Sequence, residues 1–115
     1  MALSDLRLQA GLEFEDKIRK NLGSTVNHLE GTHSKEFFLV AQFSRSKIRL
    51  NLDTVGLTLQ SCLGGNAARF KVSFLRNWCF KLSVASKDVG FSIYNGGNIA
   101  NENFSVHFFL WGNGG

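Results

Sequence analysis

Two seven-residue runs, RFKVSFL (Arg69–Leu75) and WCFKLSV (Trp78–Val84), alternate apolar and polar residues with period two, and only Arg76 and Asn77 stand between them. Such alternation sends successive side chains to opposite faces of a strand. Two runs joined by so short a connection suggest an antiparallel hairpin. A lone hairpin cannot bury its apolar face, so the flanking segments must cover it.

Those flanks have their own patterns. Glu36–Phe43 (EFFLVAQF) reads as a strand, and Ser44–Asn51 is basic and loop-like. Asp53–Leu63 reads as a helix: Val55, Leu59, Cys62 and Leu63 share one face, Asn51 or Asp53 caps the start, and Gly64-Gly65 stops it. Beyond the hairpin, Ser86–Asn95 reads as a short helix capped by Ser86 and ended by Gly96-Gly97. Phe104–Trp111 (FSVHFFLW) reads as a last strand, followed by a tail, Gly112–Gly115. The order from Glu36 is β-α-β-β-α-β, which predicts an α+β, ferredoxin-like domain with a four-stranded antiparallel sheet and two helices on one face. Ahead of it, Leu3–Leu22 reads as an amphipathic helix, with Leu3, Leu6, Ala10, Phe14, Ile18 and Leu22 in a stripe, Ser4-Asp5 as cap and Gly23 as stop. Gly11 weakens that helix by about 1 kcal/mol relative to Ala. The expected organisation is residues 1–34 as helix plus polar loop and 35–115 as the ferredoxin-like domain.

A chain of 115 residues with 43% hydrophobic and 12% aromatic content has enough material for one core without staples. Cys62 and Cys79, the two cysteines, are too few for a secreted disulfide framework and read as buried, reduced thiols. The first residues carry Asp5, Arg7 and Glu13, unlike a signal peptide, and no apolar run approaches the ~18 residues that span a bilayer. These features predict a place in the cytosol or nucleus and no membrane partner.

Charge is unevenly spread. Lys35–Lys87 holds nine basic residues against two acidic ones, Glu36 and Asp53, a net of +7, while the segments before and after are net negative. A basic middle is either a solvated face or a polyanion-binding one. Alternation assigns the faces. Phe37, Leu39, Ala41 and Phe43 turn inward in the first strand, and Phe38 and Val40 outward. Phe70, Val72, Phe74, Trp78, Phe80, Leu82 and Val84 turn inward in the hairpin, and Arg69, Lys71, Ser73, Cys79, Lys81 and Ser83 outward. Ser105, His107, Phe109 and Trp111 turn outward in the last strand, and Phe104, Val106, Phe108 and Leu110 inward. With the ferredoxin-like strand order 4-1-3-2, the outer face has an aromatic half (Phe38, His107, Phe109) and a basic half (Arg69, Lys71, Lys81), extended by Arg45, Lys47 and Arg49 of the first loop. Rings beside cations are what single-stranded nucleic acid needs, as in RRM-like domains whose sheet stacks bases. One departure is clear: such a motif carries two aromatics on its third strand, where this chain has Cys79 and Lys81. The same face could instead take the stripe of the first helix, or a second copy or a partner protein.

No catalytic constellation emerges. His28, His33 and His107 make no metal spacing with either cysteine. Gly64-Gly65-Asn66 and Gly96-Gly97-Asn98 follow helices, whereas a phosphate loop precedes one. The chain reads as non-enzymatic, without cofactor, metal or small-molecule substrate.

Three stretches, KIRLNLDTVGLTLQSCLGG, ARFKVSFLRNWCFKLSVASKDVGFSIY and FFLWGNGG, resemble a plant domain of unknown function from grass proteins, found near the front of retroelement-derived proteins and often ahead of a CCHC zinc knuckle. The resemblance covers about Phe37–Gly115, and its most specific pieces are SVASKDVGF and FFLWGNGG. It implies a nucleic-acid-associated, retrotransposon-derived module without enzymatic activity. No zinc knuckle follows in this sequence. The combined expectation is weak, sequence-tolerant binding of single-stranded RNA or DNA, with self-association as a homodimer or docking of a partner protein as the alternative.

Overall fold

A computed structural model describes residues 8–27 and 37–112. Among them the chain forms three α-helices and a five-stranded antiparallel sheet. In chain order these are α1 (Gln9–Leu22), β1 (Phe37–Ser46), α2 (Leu52–Leu63), a 3-10 turn (Ala67–Phe70), β2 (Ser73–Arg76), β3 (Cys79–Val84), α3 (Lys87–Asn95), β4 (Ile99–Ala100) and β5 (Phe104–Leu110). The sheet runs β2-β3-β1-β5-β4, so the four longer strands stand in the expected 4-1-3-2 order. The expected strand count of four is corrected to five. Ile99 and Ala100 pair with Val106 and Ser105 and add a short outer strand.

Local chemistry fixes the helix ends. Asn51 Oδ1 accepts from the Thr54 N–H at 2.9 Å and Thr54 Oγ1 accepts from the Asn51 N–H at 2.9 Å, a reciprocal capping box at the start of α2. Ser86 Oγ accepts from the Val89 N–H and starts α3. Gly23, left-handed at φ 62, ends α1 and donates its N–H to Arg19 O. Leu3, Leu6 and the Ser4-Asp5 cap lie outside the described residues.

One face of the sheet carries the core. Leu39, Ala41 and Phe43 of β1, Phe80, Leu82 and Val84 of β3, and Phe104, Val106 and Phe108 of β5 are buried with Val55, Leu59 and Leu63 of α2 and Val89 and Ile93 of α3. Ile18 of α1 joins the same cluster. α1 therefore packs on the helix side, against α2, and not over the outer sheet face. Gly11 permits this: a Cβ there would collide with Gln60 O and lie 2.8 Å from Gly64 N. Glu15 adds a tie, accepting from the Gly65 N–H at 2.7 Å.

Several local expectations are corrected. β1 runs on to Ser46 through a bulge between Phe43 and Arg45, so Arg45 is a strand residue paired with Ser105. Arg69 and Phe70 belong to the 3-10 turn, Lys71 ends it in the left-handed region at φ 50, and β2 begins only at Ser73. Asn66 Oδ1 caps that turn by accepting from the Ala68 N–H. Trp78, expected inward, stands in the tight turn after β2, half-exposed. Its φ of 66 is a conformation that costs an ordinary side chain about 1–2 kcal/mol. Phe74 and Leu110, also expected inward, are exposed, on the edge strand β2 and at the end of β5.

Candidate nucleic-acid interface

Antiparallel pairing sets residues directly opposite one another on a common face. Across β5, β1, β3 and β2, the outer face therefore resolves into rows. The first is Phe109–Val40–Lys81–Ser73. The next is His107–Gln42–Cys79–Arg76. On the other side of the first row, Phe38 pairs with Ser83, and Trp111 donates its N–H to Phe38 O at 3.3 Å. No carboxylate stands in these rows.

The expected aromatic half is assembled as read: Phe38, His107 and Phe109 share the face, and Phe109 is 47% exposed. Trp111 joins them. The expected basic half is only partly right. Lys81 is on the face, and its ammonium sits 4.3 Å from the Phe38 ring centroid and 4.6 Å from that of Trp111. Held by the negative faces of two rings, the Lys81 ammonium makes no ion pair among the described residues. Cys79 and Ser83, also on this side, are only 1% and 2% exposed, so Lys81 is the β3 residue that reaches the surface.

Arg69 and Lys71 are not on this face. The 3-10 turn carries them beside α2, where Lys71 lines a cleft with Leu52, Asp53 and Gly56. Their place is taken by Arg76, exposed and opposite Cys79. Reading Arg76 as a turn residue hid it. The hidden signal is the slip of β2 by four residues from its expected start, together with a bulge between Phe74 and Arg76 that restores the outward parity of Arg76.

Arg45 has another task. Its guanidinium donates to the carbonyls of Glu102, at 3.1 Å, and Asn101, and more weakly to that of Phe104 at 3.4 Å. It thereby clamps the β4–β5 connection. Lys47 and Arg49 are exposed in the connection from β1 to α2. Lys47 is anchored through its backbone, N–H to Asn103 O at 2.8 Å, which leaves the ammonium to solvent or ligand.

Nothing in the described residues resembles a metal centre: no group of three or more His, Cys, Asp or Glu gathers there. His28 and His33 lie outside the described residues. Both cysteines are free and buried, and burial pushes the Cys62 thiol up to about 12. No helix is long and apolar enough to cross a membrane among the described residues. Compared with known proteins, the chain matches no family model, no curated protein and no solved structure.

Proposed function

We propose that the chain is a non-enzymatic, RRM-like binding domain that holds single-stranded nucleic acid weakly, and with little sequence preference, across the outer face of its sheet. The observation that carries this reading is the outer row Phe109–Val40–Lys81–Ser73 with its neighbour His107–Gln42–Cys79–Arg76: rings at one side, cations at the other, and no carboxylate between. Phe109 and His107 supply stacking surfaces; Lys81 and Arg76 meet phosphates, and Lys47 and Arg49 continue the positive track past the end of β1. The ferredoxin-like reading is supported by the strand order of the four longer strands and by helices gathered on one side. The resemblance to the plant retroelement-associated domain points the same way.

A labelled mixed-sequence single-stranded RNA, titrated by fluorescence anisotropy at low and at physiological salt, tests it. Saturable binding that weakens steeply with salt is expected, together with its loss in Lys81→Glu combined with Arg76→Glu. Absence of binding at low salt would overturn the reading. One observation favours a second reading in that case: Phe109, Leu110 and Trp111 are three consecutive, exposed, large apolar residues at the end of β5. An exposed apolar strand end of that kind suits self-association, and a mass that rises with concentration in light scattering would identify it.

A further inference from the structure

We propose that Trp78, at the tip of the β2–β3 hairpin, is a second base-stacking platform for a single strand; this rests on the nucleic-acid reading above. Trp78 holds the left-handed backbone region, with φ 66, where glycine or asparagine is the comfortable residue. The residue is 43% exposed. The indole is not among the residues packed on the hydrophobic core, and among the described residues its ring meets no other aromatic or cation and its N–H bonds to no protein atom. A bulky ring kept at a strained position, outside the core, has no folding role visible here, and strained positions gather where a surface meets a ligand.

Its placement names the ligand chemistry. Trp78 O accepts from the Phe43 N–H at 2.8 Å, which fixes the turn beside the lower end of β1. Arg76, two residues earlier, is exposed on the outer row with His107. β1 leads from the same end of the sheet into Lys47 and Arg49. From Thr54 to Lys87 the sequence has no acidic residue, so the hairpin stands in a stretch of one charge sign. A planar ring flanked by cations without carboxylates stacks a base and holds its phosphates. The β3 strand that carries the turn lies two strand spacings from the β5 strand of His107, about 10 Å. A strand bound at Phe109 and His107 therefore reaches Trp78 only if it is several nucleotides long. The hairpin ring thus compensates for the aromatic pair that β3 itself lacks.

Tryptophan emission tests this directly, because only Trp78 and Trp111 emit. In Trp111→Phe, which keeps a ring beside Lys81, titration with a mixed-sequence single-stranded RNA decamer should quench Trp78 emission with the midpoint seen by anisotropy. Trp78→Gly, a residue suited to this φ, should weaken decamer binding about 5- to 150-fold, the value of one stacked base, while a dinucleotide loses nothing. Anisotropy that reports binding while Trp78 emission and the Trp78→Gly affinity stay unchanged would overturn the platform and leave the sheet-face reading standing. No binding by any variant would overturn both. The emission arm uses the natural Trp78, so it decides the matter even where the glycine variant folds poorly.

Discussion

Glycine in a helix costs about 1 kcal/mol relative to alanine, and Gly11 sits near the start of α1 all the same. The close approach explains it: the missing Cβ lets α1 lie against Gln60 O and Gly64 N of the α2 terminus. Gly11→Ala gains the propensity but meets backbone on both contacts, where overpacking costs about 1–3 kcal/mol. The clash wins on the upper part of that range, so a lower urea midpoint is expected; a higher midpoint would show that α1 is not docked this way. Cys62 makes the second residue-scale prediction. Burial raises its folded thiol from 9.0 to about 12, so the unfolded chain loses that proton first. Stability is complete below the unfolded value and declines as pH climbs from 9 toward 12, by about 1.4 kcal/mol per pH unit from this group alone. Urea unfolding at pH 8, 9.5 and 10.5 should show the decline, and Cys62→Ala should remove its share. A thiol reagent at pH 8 should leave native Cys62 unmodified and label it in denaturant.

At the scale of elements, legibility followed pattern length. The helices were readable where caps and periodicity agree: Asn51, Ser86, Gly23 and the stripe through Val55, Leu59 and Leu63 all stand where the structure uses them, whereas Leu8, expected inside the first helix, precedes α1 as an N-cap without a side-chain cap bond. The start of β2 was not readable. Phe70 is buried whether the backbone is a strand or a 3-10 turn, so alternation alone cannot separate them. The discriminating signal was Asn66, whose side chain caps the turn. β4 was invisible for another reason: two residues carry no period. It depends on Asn101 Oδ1, which accepts from the N–H groups of Asn103 at 2.8 Å and Phe104 at 3.0 Å, and on the Arg45 clamp. Misplacing β2 removed Arg76 from the candidate site and put Arg69 and Lys71 into it. Phe38, Lys81, His107 and Phe109 survived because the longer strands kept their parity. The clamp gives an element-scale prediction. Hydrogen bonds from a charged group contribute about 1.5–3 kcal/mol when sheltered; Arg45 is exposed, so Arg45→Gln should cost about 1 kcal/mol in chemical denaturation. It should weaken RNA binding much less than Arg76→Gln. The reverse order would make Arg45 a phosphate contact.

For the whole molecule, the distribution of charge decides more than its total. The net of +4 arises from a strongly basic middle set against acidic ends. The acidic residues of α1 are engaged locally: Glu13 accepts from the Gln9 amide, Glu15 holds the Gly65 N–H, and Asp16 is paired with Arg19 and Lys20, whose hydrogen bonds hold its carboxyl below the usual range. α1 packs on α2, so this helix, whose three acidic and three basic residues cancel, lies behind the sheet, and the charged residues of the outer rows are cations. On the proposed reading, an anionic strand meets the outer rows and not the charge-balanced α1. Four contacts, Lys47, Arg49, Arg76 and Lys81, predict a slope of log affinity against log salt of about −3, since each phosphate on a single strand contributes about −0.7. Each charge-removing substitution among the four should flatten the slope by about 0.7, and Lys20→Gln, on the opposite side, should leave it unchanged. A slope that responds to Lys20 as much as to Arg76 would mean that the protein is read by polyanions as a uniformly charged body and that the rows on the outer face have no privileged part in binding.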